Sequence, residues 1–427
     1  MLARLIPARV SAGHLAGLIV ASAMAMSSIV FSEPAVADAM LLMMIFALPA
    51  LGAVRFGRSA ILNFALWLII VALGLAAAGM ATTIDTAIKH QLITLFLAAS
   101  AFVLAGYITV DPEPRVRLVM LAYVVACLVA TAAALIGYFN LLPGAYDLFT
   151  NYGRARGTFK DPNVFGAALA PGVVLALWCM LRETQGRAYL AAGVALVLTL
   201  GVLLSVSRGA WISTALSLAL LGWITLVRSR RRADFWRFGI VGALGTLLLF
   251  VAIAGALQVD SVQEMVSERA NLDQGYDQGT DGRFGGQAKA IGLMLENPFG
   301  IGTFTFRDSY HHEEVHNVYL SQFLNAGWLG GMLYILSVAM TLAIGSRGAF
   351  RNGVLQGPFL IATTAFAGVA FEGLVVDTDH WRHFFILMGC IWGLADAVPP
   401  RIDPSRRRTD WTPFASPAAT PALGAAP

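Results

Sequence analysis

Apolar runs long enough to cross a bilayer recur along this whole chain, and that one feature decides what it can fold into. The runs are 14–31, 38–54, 60–80, 89–110, 118–140, 164–181, 188–206, 209–227, 238–256, 316–344, 357–376 and 383–398. A helix needs roughly 17–25 residues to cross about 30 Å of hydrocarbon, and most of the runs reach that length. None alternates as a strand would, and backbone in lipid must satisfy its own hydrogen bonds, so the spans are predicted to be helical. Only 13% of residues are charged and 58% are hydrophobic. Soluble domains carry about 25% charged residues, so a fold with water on all sides is excluded. The expected class is all-α: a polytopic transmembrane helical bundle of about 12 spans, with residues 1–398 as a single membrane domain. Residues 399–427 are rich in Pro, Ala and Arg without periodicity and read as a disordered cytoplasmic tail. No internal repeat is evident.

Arginine placement orients the bundle. With the N-terminus inside, the cytoplasmic segments hold Arg4, Arg9, Arg55, Arg58, Arg115, Arg117, Arg182 and Arg187. They also hold Arg228, Arg230, Arg231, Arg232, Arg237, Arg347 and Arg351, and then Arg401, Arg406, Arg407 and Arg408. That is well over half of the 29 basic residues, the bias read by the positive-inside rule. The net charge of +4 is therefore a topology signal, and no nucleic-acid partner is expected. Arg4 and Arg9, an apolar stretch and Ala35-Val36-Ala37 imitate a secretory signal, but the segment is read as an uncleaved first span. Cys127, Cys179 and Cys390 fall inside spans and read as small packed residues. Two outward segments exceed turns, 141–163 and 257–315. The second is expected to be partly helical, with short amphipathic helices near 261–270 and 283–296, the latter ending at Asn297-Pro298. The last outward loop is 377–382.

Three constellations carry chemistry. In Asn151–Asn163, Arg154, Arg156 and Lys160 crowd an outward loop against the topological bias, and Pro162 starts the next helix. A cluster of guanidinium forks suits a phosphate-bearing lipid substrate; anchoring to anionic headgroups is the alternative. In Ser205-Val206-Ser207-Arg208-Gly209, Arg208 sits where one apolar run stops and the next begins. A charge at that depth is paired, functional or snorkelling to the interface. At the end of the long loop, Asn297–Gly302 is followed by His311, His312 and His316, three of the seven histidines. Histidine titrates near neutrality, so a general base is expected there.

His312-Glu313-Glu314-Val315-His316 also matches H-E-x-x-H, which would place two imidazoles on one helix face with Glu313 as base. Asp377, Asp379 and His380 form a second group that could take a cation. The competing classes are therefore a membrane zinc protease and a transporter of lipid-linked sugars. A transporter places charges at mid-membrane; here the charges gather at one face.

Taken in order, the motifs resemble the O-antigen ligase and O-antigen polymerase superfamily of bacterial membrane glycosyltransferases. Arg154-x-x-Gly157-Thr158-Phe159-x-x-Pro162-Asn163, Ser207-Arg208-Gly209, and Pro298-x-Gly300-x-Gly302 followed by His316-Asn317-x-Tyr319-Leu320, Gly327 and Gly330 carry the resemblance over roughly 150–345. It implies transfer of a glycan from an undecaprenyl-diphosphate-linked donor to a sugar hydroxyl. The acceptor would be lipid A–core in a ligase or the growing polysaccharide in a polymerase. The ligase is favoured and an O-antigen or exopolysaccharide polymerase is the alternative. The implied enzyme is inverting and metal-independent, uses no cofactor, and is a multi-pass protein of the bacterial inner membrane, in contact with membrane lipids and with its active face periplasmic. The resemblance makes His316 and Arg208 catalytic and assigns the diphosphate to Arg154, Arg208, Arg156 and Arg283. Where the family often has an aromatic residue after the last of these, this chain has Gly286 and Gln287. His316 is expected to be essential, with His312 and Glu313 as loop residues.

Overall fold

The computed structural model describes residues 11–229 and 282–397, together with 235–236, 239–240 and 279. In order, the helices are α1 (Ala12–Ala25), α2 (Val36–Ala50), α3 (Arg58–Ala78), α4 (Ile84–Val110), α5 (Pro112–Tyr138) and the short α6 (Ala145–Phe149). A hairpin of β1 (Thr150–Asn151) and β2 (Arg154–Ala155) follows, then α7 (Pro162–Arg182), α8 (Gln185–Leu204) and α9 (Arg208–Arg228). After these come α10 (Arg283–Glu296), a π-helical turn (Phe306–Tyr310), α11 (Val318–Phe350), α12 (Gln356–Glu372) and α13 (Arg382–Asp396).

Each predicted span other than 238–256 falls on one of these helices, and α10 ends at Asn297 as expected. Span 238–256 apart from 239–240, the helix near 261–270, the tail 399–427 and Arg4, Arg9, Arg230, Arg231, Arg232, Arg237, Arg401, Arg406, Arg407 and Arg408 lie outside the described residues. Seven of the described helices are long and apolar enough to cross a membrane: α3, α4, α5, α7, α8, α9 and α11. The runs at 14–31 and 38–54 yield the shorter apolar helices α1 and α2. Their outer ends turn into a loop that packs on the hairpin region, where the Val30 N–H donates to the Thr158 carbonyl at 2.9 Å.

The core lies around α7, α12 and α13. Nearly every residue of α12 and α13 is buried, and α12 is apolar nearly all round, as befits a central helix. α13 packs on α4, α12 on α9, and α11 on both α3 and α12, so the end of the chain fills the centre of what came before it.

Both ends of the bundle are tied off. At one end, the Arg55 Nη2 donates to the Thr109 carbonyl at 2.8 Å and Arg115 Nη1 to those of Ala53 and Tyr107 at 2.7 and 2.6 Å. There the Asp396 carboxylate also caps α3, accepting from the N–H groups of Ser59 and Ala60 at 2.9 and 2.7 Å. Arg228 reaches the Phe350 carbonyl and the Asn352 side chain. The arginine-bearing connections thus share one end, and the polar loops 26–35, 79–83, 150–161, 205–207, 297–317 and 373–381 share the other.

α11 is not one helix. Gly327 has φ 71° and ψ −178°, a conformation that only glycine adopts without strain. The bond that Trp328 N–H would make to the Leu324 carbonyl is replaced from outside. Trp328 N–H donates to the Pro298 carbonyl at 2.9 Å, while the Leu324 carbonyl accepts from Ile301 and Gly302 N–H at 2.7 and 3.2 Å. A Cβ on Gly300 would stand 2.6 Å from that carbonyl. The Pro298-x-Gly300-x-Gly302 motif is therefore the part that closes a broken helix.

Candidate active site

The site is built from four loops at the polar end. The hairpin turns through Tyr152 and Gly153, both with positive φ, 50° and 69°, the handedness favoured in two-residue hairpins. It buries Arg154 to 8% exposure. The guanidinium bridges two elements: Nε donates to the Ser205 carbonyl at 2.8 Å and Nη2 to Asn163 Oδ1 at 2.7 Å. Asp161 caps α7 by accepting from the Asn163 and Val164 N–H groups. Arg156 closes its own loop, donating to the Leu148 and Lys160 carbonyls at 3.1 and 3.4 Å.

Ser205 ends α8. Val206 reverses the chain with φ 46°, and Ser207 caps α9 by accepting from the Ala210 N–H at 3.3 Å. Arg208 is thus the first residue of α9, at the positive end of that helix dipole. Behind it, a Cβ on Gly209 would stand 2.8 Å from Glu372 Oε1. Glu372 is fully buried and accepts from Ser213 Oγ at 2.7 Å. The next residue, Gly373, accepts from the Val318 N–H at 2.9 Å, which places the start of α11 beside the start of α9.

His316 stands just before α11, capped by Asn317, whose Oδ1 accepts from the Tyr319 and Leu320 N–H groups at 3.1 and 3.2 Å. It has φ 51°, and two bonds hold it there. Its N–H donates to Asp377 Oδ2 at 3.1 Å, and its carbonyl accepts from Gln287 Nε2 at 3.2 Å. Gln287 lies one turn past Arg283 on α10, so Arg283 is on the face turned toward His316. The imidazole Nε2 lies 3.3 Å from Glu313 Oε2. A carboxylate at that nitrogen favours the Nε2–H tautomer and leaves Nδ1 as the basic lone pair.

Glu313, expected to be a loop residue, does lie in the loop, and its carboxylate is the partner of the His316 imidazole there. The zincin geometry is corrected. Residues 312–317 are not helical, because the backbone at His316 is left-handed and α11 starts only at Val318, so His312 and His316 do not share a helix face. His312 is exposed. Among the described residues, the group whose ligand atoms lie within 4.8 Å of one another is His90, Asp379 and His380. The His90 and His380 rings stack at 3.9 Å, and His90 Nε2 lies 3.3 Å from Asp379 Oδ2. Gln322 Nε2 donates to Asp379 at 3.2 Å, and Thr94 Oγ1 meets His380 Nε2 at 2.9 Å.

Charge in this layer is set by burial and crowding. Burial, then Asp377 beside it, pushes the Glu314 carboxyl up to about 7. Burial, then Asp379, raises Asp377. Burial would raise Asp379 as well, but His380 and His90 against it pull it below the usual carboxylate range. His380 falls to about 3, from burial first and His90 second.

Sequence reasoning missed Glu372, Gln287 and His90. A lone acid inside the run 357–376 was a readable signal. Gln287 and His90 gave none, because their roles depend on which loop packs above them.

The comparisons with known proteins found one likeness. Residues 192–335 match the family described as O-Antigen ligase. Over that segment the chain is O-antigen ligase-like. The matched segment of this O-antigen ligase-like protein holds Arg208, Arg283, Glu313 and His316, while Arg154 and Asp377 come from flanking elements that pack against it. No curated protein and no solved structure matches the chain.

Proposed function

We propose that this protein is a glycosyltransferase of the inner membrane that moves a glycan from undecaprenyl diphosphate to a sugar hydroxyl at the periplasmic face. The observation that carries the reading is the meeting, at one end of the bundle, of the α9 start bearing Arg208, the His316–Glu313 pair and the α10 face bearing Arg283. The leaving group is a diphosphate, whose developing charge is stabilised by preorganised cations. Arg208 and Arg283 serve it directly. Arg154 adds positive charge and holds the Ser205–Arg208 turn, and Arg156 closes the loop between them. His316 Nδ1 takes the acceptor proton, assisted by Glu313 at Nε2. The acceptor oxygen attacks the anomeric carbon, the bond to the phosphate oxygen breaks, and the diphosphate leaves with the electron pair. Direct displacement inverts the anomeric centre. Guanidinium groups do the charge neutralisation that a divalent ion does elsewhere, so the reaction needs no metal.

In this reading the membrane domain is 1–398 with twelve spans, both termini are cytoplasmic, and the arginine-tied end faces the cytoplasm. A ligase uses lipid A–core as acceptor, and a polymerase with the same site uses the growing polysaccharide. Reconstituted protein offered one undecaprenyl-diphosphate glycan and each acceptor in turn tests both. We expect transfer to lipid A–core without added metal. Transfer to the polysaccharide end alone would make it a polymerase, and transfer to neither would end the reading.

A further inference from the structure

A cavity of about 220 Å³ lies between the loop after α1, the 373–381 loop and helices α5, α7 and α13, beside the site just described. We propose that it is the subsite for the acceptor's reacting sugar ring, a neutral pyranose; the inference rests on the transfer reading above.

Four observations point to a neutral polyol. Ser28 and His383 both line the cavity, both are 3% exposed, and Ser28 Oγ and His383 Nε2 have no hydrogen-bond partner. Buried polar atoms are nearly always paired, so two orphans facing one space call for hydroxyl groups in it. The rim carries Glu33, Asp161 and Asp377 against Lys160 and Arg382. Both cations are already engaged, Lys160 with Glu33 at 3.8 Å and Arg382 with Asp38 at 2.7 Å. An anionic phosphate would therefore meet more carboxylate than spare cation, whereas sugar hydroxyls can donate to those oxygens.

The floor is apolar, with Ala126, Cys127 and Leu169 offering a surface to the C–H side of a ring. The volume is below the roughly 300 Å³ at which drug-sized pockets begin, so one ring fits and a longer glycan must extend outward.

Position separates acceptor from donor. Asp377 forms part of the cavity wall and also holds the His316 N–H at 3.1 Å. The cavity thus adjoins the general base, whose proton comes from the acceptor. The arginines of the diphosphate site are not among its lining residues.

The test uses the full chain in nanodiscs, with saturation-transfer NMR for methyl α-glucoside, methyl β-galactoside and methyl α-mannoside, and phosphorus-NMR line broadening of inorganic pyrophosphate as control. Ser28→Ala removes one orphan with little risk to folding, and Ala126→Phe fills the floor. We expect at least one glycoside to bind, Ser28→Ala to weaken it severalfold, and Ala126→Phe to abolish it with pyrophosphate unaffected. In the transfer assay, Ser28→Ala should raise the acceptor KM about tenfold and leave the donor KM unchanged. The proposal is overturned if no glycoside binds, if binding survives both variants, or if the donor KM moves in place of the acceptor's. Glycoside binding of the expected kind by a protein that transfers nothing would refute the transferase reading and leave a saccharide site standing.

Discussion

Replacing Arg154 by lysine probes the part of the site that most depends on a forked side chain. The guanidinium is 8% exposed and donates from two edges to acceptors on different elements, the Ser205 carbonyl at 2.8 Å and Asn163 Oδ1 at 2.7 Å. A lysine ammonium is a single point on a flexible stem and cannot hold both acceptors in that geometry. One hydrogen bond from a charged donor contributes about 1.5–3 kcal/mol, so losing one of the two costs ~2 kcal/mol. At 1.4 kcal/mol per factor of ten, that is a roughly 30-fold effect. It should fall on the Ser205–Arg208 turn, and through it on the placement of Arg208, the proposed diphosphate ligand. The assay is the initial transfer rate in proteoliposomes at matched protein content, together with amide exchange over 203–210. We expect donor kcat/KM to drop about 30-fold and exchange in the turn to rise, with Arg154→Ala losing a further factor of ten or more. Full transfer and unchanged exchange in Arg154→Lys would refute the argument that the fork holds the turn.

Within the histidine segment, His316→Ala should lose transfer by a factor of 10² or more. Glu313→Gln should lose about tenfold by weakening the orientation of that imidazole, and His312→Ala should change little; a chelator that abolished activity, with all three variants dead, would restore the zinc reading. Glu314 provides a pH signature. Its carboxyl is pushed up to about 7 from 4.5, so the fold binds its proton more tightly than the unfolded chain does. That stabilisation, at most ~3 kcal/mol, is fully present below pH 4.5 and is lost as the pH rises through 7. Thermal unfolding in detergent between pH 5 and 8 should show the decline in the wild type and lose it in Glu314→Gln. Finally, Phe299 is 80% exposed at the polar end, so Phe299→Cys should react with an impermeant thiol reagent from outside intact cells; labelling only after permeabilisation would invert the topology.

The apolar runs fixed where helices lie because a span has no alternative way to satisfy its backbone, and the described helices follow those runs closely. Arg208 and His316 were legible for a related reason, since each is a polar residue at the edge of an apolar run. What could not be read was how loops from distant parts of the chain stack over the bundle. The hairpin at 150–155 was hidden because its turn, Tyr152-Gly153, has glycine at only one of two positive-φ positions. Glu313 reads in the sequence either as the base of a zinc site or as a loop residue, and its pairing with His316 depends on the left-handed backbone that turns the imidazole back on it. His90 pairs with Asp379, 289 positions away, and no local pattern marks such a pair.

The break at Gly327 has a consequence for how this end of the molecule tolerates change. In an unbroken helix, one inserted residue rotates everything beyond it by about 100°. An insertion between 330 and 345 would then swing His316 out of register with Arg208. Here the upper segment, Val318 to Ala326, is clamped by Pro298–Gly302 on one side and Gly373 on the other. The azimuth of His316 is therefore set by the loop layer and insulated from the lower shaft. The shaft is thus free to be lengthened or shortened to suit a membrane of different thickness while His316 and Arg208 keep their bearing.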